Sequence, residues 1–168
     1  MTLETARTWL AAHAPELALI DHGVSTATVL EAAAALGVEP ARIAKTIALR
    51  VGEAVMLVVA RGDARIDNAK TKAEFGGRPR MLSHEEAFAA TGHPVGGVCP
   101  FGLATDIPVY CDVSIQAFDT VFPAAGSLTS SVEVAPGRLA DLVSTRWVDI
   151  VKLPENAGEE RTWPASSL

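Results

Sequence analysis

Cysteine is scarce in this chain: Cys99 and Cys111 are the only two among 168 residues. A disulfide framework is not needed at this length, and the usage fits a reducing, cytoplasmic setting. Long apolar runs are missing too. The longest, residues 54–60, has seven members, against roughly 20 for a membrane-crossing helix. Glu4 and Arg7 stand where a secretory signal would begin and no apolar stretch follows them, which argues against export. Aromatics make up only 5%, yet 49% apolar and 20% charged residues exclude a disordered or collagenous chain and supply one packed core. The sequence has no Gly-x-x-x-x-Gly-Lys-Ser/Thr, Gly-x-Gly-x-x-Gly, His-Glu-x-x-His or Gly-x-Ser-x-Gly. Nucleotide hydrolysis, dinucleotide redox chemistry, zincin proteolysis and α/β-hydrolase chemistry lose their usual support. The two cysteines have no Cys-x-x-Cys partner, so neither a metal site nor a cofactor is expected.

The net charge of −6 is unevenly spread. Residues 42–80 hold nine Lys or Arg and four acids, or +5, and the remainder carries −11. Such lopsidedness suits a local contact with one end of a nucleic acid better than a wrapped duplex. It also suits charges that simply solvate a hairpin and a helix.

Apolar spacing predicts a helix over 5–13, ended by Pro15, a short strand at 17–20, and a helix carrying Val29, Ala33 and Leu36 with Ser25 as N-cap and Gly37 beyond its end. Residues 43–51 and 54–60 form a β-hairpin, its second strand apolar on both faces as a central strand should be. Asp67 caps a helix through Phe75, and Ser83-His-Glu-Glu86 is a capping box for the next. Residues 92–102, with four glycines and two prolines, demand a specific loop. Strands follow at 108–113, 120–124, 130–134 and 147–151, with a turn or short helix at 115–118 and a helix from Pro136 to Val143. The pattern describes a mixed α/β (α+β) sheet rather than a doubly wound one. One domain spans 1–153, with a flexible tail over 154–168.

Lys45 is the residue hardest to explain as ordinary surface. Strand periodicity places it beside Ile43, Ile47 and Leu49, which pushes an ammonium onto an apolar face. It must find a partner, snorkel to an edge, or lose its proton more readily. The loop Gly96-Gly-Val-Cys-Pro-Phe-Gly102 could present amides to a carbonyl or oxyanion, or could be a tight structural turn. Cys99 admits a thiol nucleophile with His93 or His84 as base, against a small buried side chain. His13 and His22 fit surface or capping roles.

Together these pieces resemble the YbaK and prolyl-tRNA-synthetase-associated editing domains, which are similar to the insertion domain of bacterial prolyl-tRNA synthetase. The resemblance runs from Ser25 to Val151. It rests on Ile43-Ala-Lys-Thr-Ile47, Val58-Val-Ala-Arg-Gly-Asp63, Gly96-Gly-Val-Cys-Pro100, Val109-Tyr-Cys-Asp112, and Ala125-Gly-Ser127 followed by Val132-Glu-Val. It implies a mixed, mostly antiparallel sheet flanked by helices. The implied activity is hydrolysis of the ester joining a wrong amino acid to the 3′ end of a tRNA, usually tRNA(Pro), without metal or cofactor. It implies a site of Lys45, Gly96, Gly97 and Pro100, with Thr46, Val98, Cys99, Phe101, Gly126 and Ser127 around the aminoacyl group. Partners on this reading are the acceptor end, with prolyl-tRNA synthetase or an elongation factor, and the chain is a monomer or weak homodimer with no membrane role. Thr46 after the lysine and the absence of His over 127–133 point away from a strict alanine editor. They favour the branch handling 2-aminobutyrate or other small residues. A binding module of the same fold without activity is the competing reading.

Overall fold

The computed structural model describes residues 3–155. Its elements run α1 (Leu3–His13), β1 (Ile20–Asp21), α2 (Val29–Leu36), β2 (Ile43–Val51), β3 (Ala54–Arg61), β4 (Arg65–Ile66), α3 (Asn68–Phe75), β5 (Pro79–Met81), α4 (His84–Thr91), β6 (Val109–Asp112), β7 (Phe122–Pro123), β8 (Ser130–Ser131), α5 (Pro136–Val143), β9 (Trp147–Val148) and β10 (Val151–Lys152). Short 3-10 turns lie at Pro40–Arg42 and Val113–Ala117.

β3 is the centre. Leu57 and Val59 enter one core and Met56, Val58 and Ala60 the other, so the strand needs no polar face and reads as continuously apolar. Full burial of Leu49 and Leu57 is worth roughly 1.5–3 kcal/mol each. The first core takes Ala6 and Leu10 of α1, Ala87 of α4 and Leu139 of α5. The second takes Phe75 of α3 with Ile66 and Val151, and α2 lays Ala32 and Ala33 on Ile43 and Phe122.

β2 and β3 pair antiparallel from Ala44↔Arg61 to Val51↔Ala54, β6 lies parallel on the far side of β3, and β9 lies parallel to β6. On its other side β2 meets β7 at Ile43 and Ala44 and β5 at Leu49 to Val51. By paired residues the sheet is mixed and mostly antiparallel, and helices flank it, as the resemblance implies. Between β7 and β5, residues 45–48 have a strand on one side only.

Several boundaries differ from the sequence reading for local reasons. Thr28, not Ser25, caps α2 and accepts the Glu31 amide at 3.1 Å; the Ser25 hydroxyl instead accepts from Ala27 N. The strand expected at 17–20 is reduced to Ile20–Asp21, paired with β8, because Leu17 and Leu19 turn onto the core. The strand expected at 147–151 breaks in two: buried Asp112 accepts the Ile150 amide at 2.8 Å with one carboxylate oxygen and the Ser114 amide with the other. The short strands β4 and β5 carry no apolar period of their own. The expected tail from 154 lies, beyond Glu155, outside the described residues.

Candidate functional site

The unpaired stretch of β2 opens onto a cavity of about 420 Å³, inside the roughly 300–1,000 Å³ range of small-molecule sites. Ala44 and Ala48 of β2, Ala32 of α2 and Ala87 of α4 leave the room, Val29 and Phe122 close the sides, and no Asp or Glu lines it. Four of the ten expected site residues meet here: Lys45, Thr46, Gly96 and Val98. The Thr46 hydroxyl is buried without a hydrogen-bond partner, an unmet demand that a bound polar group would satisfy. Ala48 O accepts the Leu82 amide across the open edge. Strand period two therefore turns the Thr46 backbone N–H and C=O towards the same opening.

Lys45 is half-buried, and its ammonium donates to Gly62 O at 3.1 Å and to Ala64 O. Those carbonyls are aimed by the turn after β3. Arg61 grips Asp63 with two bonds of 2.7 and 3.0 Å, and Ala64 N closes on Arg61 O. A side chain at Gly62 would place its Cβ 2.2 Å from Pro40 O, so only glycine lets the turn approach. The Val58-Val-Ala-Arg-Gly-Asp63 motif thus builds the seat for Lys45. Burial lowers the Lys45 pKa, Asp63 raises it and Arg65 lowers it further. Two of the three ammonium donors are committed and one remains.

The loop after α4 is rigid for identifiable reasons. Gly97 N closes a turn on Pro94 O at 2.9 Å. Buried His93 donates from Nε2 to Phe101 O at 2.6 Å, stapling the two ends together. Gly96 sits at φ +85°, and a Cβ there would come 2.7 Å from that of Ala27; a Cβ on Gly97 would come 3.0 Å from the Ser127 backbone. Among the described residues the Gly96 and Val98 amides donate to no backbone acceptor.

The other expected residues stand behind this wall. Gly97 and Gly126 are buried, and Ser127 bonds Ser130 Oγ at 2.6 Å. Cys99 and Phe101 are fully buried in the first core. Pro100 faces a separate cavity shared with Trp9 and Leu103. The thiol-nucleophile reading fails here: Cys99 lies 3.5 Å from His93 Nε2 but outside the cavity, and burial pushes its thiol up to about 12. His13 has the capping role expected of it, bonded to Trp9 O. His22 does more than expected, meeting Ser131 Oγ at 2.6 Å on the cavity wall. Pairing of β1 with β8 creates that contact across 109 residues, and no local motif announces it. Thr26, His84 and Ser130 also line the cavity, and no sequence pattern marks them as cavity residues.

The family model for the aminoacyl-tRNA editing domain matches residues 24–142, which carry the whole of this cavity. The chain belongs to that family. This editing domain is 46% identical over 154 residues to the uncharacterised protein YwhH of Bacillus subtilis (strain 168), covering 90% of the chain and 98% of that protein. It is 34% identical over 113 residues to a proline–tRNA ligase of Shouchella clausii (strain KSM-K16), covering 66% of the chain but 20% of the ligase. A solved structure described as a candidate trans-editing enzyme for prolyl tRNA synthetase superposes with a TM-score of 0.82 at 27% identity, over 89% of this editing domain and 96% of that chain. Among the described residues no group of three or more His, Cys, Asp or Glu could hold a metal ion, and no helix is long and apolar enough to cross a membrane.

Proposed function

We propose that this editing domain is a cytoplasmic trans-acting deacylase. It hydrolyses the ester between a small, wrongly attached amino acid and the 3′-terminal adenosine of a tRNA, with tRNA(Pro) as the adaptor. The observation that carries the reading is one cavity lined by Lys45, Thr46, Gly96 and Val98, of which the lysine keeps a free ammonium donor, the threonine hydroxyl has no partner and the two loop amides donate to no backbone acceptor among the described residues. The remaining ammonium donor of Lys45 holds the ribose or terminal phosphate. The Gly96 and Val98 amides receive the ester carbonyl and the oxyanion that forms on it. Water attacks the carbonyl carbon, the bond to the 3′ oxygen breaks, and the water proton passes to that oxygen with the help of the substrate's own hydroxyls. The alanine-lined floor suits 2-aminobutyrate, Ala, Cys, Ser or Thr, and one methylene separates neighbours in this set by only about 1–3 kcal/mol.

The test is release of amino acid from a panel of mischarged tRNA(Pro) species by purified protein. Turnover on at least one small residue is expected. No turnover on the Ala, Cys, Ser, Thr and 2-aminobutyryl forms would overturn the assignment.

A further inference from the structure

Cations around the site are mostly neutralised where they stand. Arg61 lies on Asp63, Lys70 on Asp149, and Arg50 and Arg80 on Glu86, so the positive segment read from the sequence is not a uniform basic face. Among the described residues four exposed cations of this region have no ion pair, Arg65, Lys72, Arg78 and Lys152, and two of the four stand together. Arg65 of β4 and Lys152 of β10 stand directly opposite each other in an antiparallel ladder. Their neighbours Ile66 and Val151 turn inward to the second core, which directs Arg65 and Lys152 outward, and both are exposed. Among the described residues neither has an ion pair or a hydrogen bond. The nearby acids are already engaged: Asp63 by Arg61, Asp149 by Lys70, and Asp67 as the cap of α3. Like charges placed opposite each other across a ladder are unfavourable unless an anion sits between them.

The position of this pair gives it a direction. Arg65 follows Ala64, whose carbonyl holds the Lys45 ammonium, so the exposed pair lies beside the seat of the cavity lysine. Directly opposed residues bring their Cβ atoms to about 5 Å, close enough for a guanidinium fork and an ammonium to share the oxygens of one phosphate. We propose that Arg65 and Lys152 form a phosphodiester clamp for the single-stranded 3′ end of the tRNA, inward of the nucleotide whose ester enters the cavity. The clamp rests on the editing reading for its occupant, and its test separates the two.

The full chain is titrated, by fluorescence anisotropy over a salt series, into an uncharged oligoribonucleotide ending in CCA; KM for mischarged tRNA is measured in parallel. Arg65→Ala/Lys152→Ala should weaken binding and raise KM about tenfold, and flatten the log–log salt slope by about 0.7 for each phosphate no longer neutralised. Arg65→Lys/Lys152→Arg should restore most of the affinity. Arg78→Ala is the control: this exposed cation follows Gly77, which packs on Val51, roughly 20 Å along β2 from Lys45, and its removal should change neither quantity. If wild type shows this binding but cleaves no ester, the clamp stands and the editing reading falls. If wild type is active while the double variant keeps the same KM and salt slope, or Arg78→Ala loses as much, the clamp is overturned.

Discussion

Replacing Lys45 by Met keeps the reach of the side chain and removes its charge. The structure sets two magnitudes. Gly62 O and Ala64 O lose their donor, at roughly 1–3 kcal/mol for an acceptor left unsatisfied. Release of a half-buried ammonium from its desolvation penalty offsets part of this, leaving a net loss of about 1–2 kcal/mol. For a chain of this size that is a fall in Tm of a few degrees. The effect on activity should be much larger, because loss of one group that stabilises developing charge costs about 10²–10³ in kcat. The assay is kcat/KM on mischarged tRNA beside a thermal melt of the same preparation. A folded Lys45→Met protein with kcat/KM within threefold of wild type would refute the reasoning: Lys45 would then be a side chain that snorkels to two carbonyls and does nothing more.

The Lys45 pKa lies below the ordinary 10.5 because of burial, so between the folded and ordinary values the unfolded chain holds more protons and stability rises with pH. Activity that needs the cation falls over the same window, and Lys45→Arg should move that fall to higher pH in a kcat/KM profile; an unmoved basic limb would exclude Lys45 as its source. Gly96→Ala requires a side chain at φ +85° with its Cβ 2.7 Å from that of Ala27, a strain of about 1–2 kcal/mol before the clash is counted. It should cut kcat at least tenfold while far-UV circular dichroism stays unchanged, and an active variant would detach the loop from the chemistry. Cys99→Ala should keep turnover within threefold and cost about 1 kcal/mol in denaturant titration. Iodoacetamide should leave native Cys99 untouched at pH 8, and rapid labelling with loss of activity would contradict its burial.

The hairpin, the Asp67 and Ser83 caps and the two-faced β3 were legible because each depends on a few neighbouring residues. Lys45 was legible as well, since a cation at an apolar strand position is anomalous whatever surrounds it. Its seat was not: the turn around Gly62 makes sense only once Pro40 is seen 2.2 Å from where a Cβ would stand. The same limit explains why Cys99, Pro100 and Phe101 read as cavity residues. A motif shows that a loop has a special shape, but which side of that shape faces the ligand depends on α1 and the first core packing behind it. Ser131 with His22, and Arg65 with Lys152, are products of strand pairing between distant segments, and period or composition has no access to them.

The interruption along the outer border of β2 has a consequence for what the molecule can admit. A sheet margin left bare over a long stretch invites a neighbouring polypeptide to add itself as another strand. Here the bare length is residues 45–48, stopped at one end by Pro123 opposite Ala44 and at the other by Met81 opposite Leu49. A notch so short can accept a compact guest, while an extended peptide has nowhere to continue. The same border can therefore serve as a doorway without acting as a template for aggregation, and extending β7 to pair with residues 45–48 would shut it.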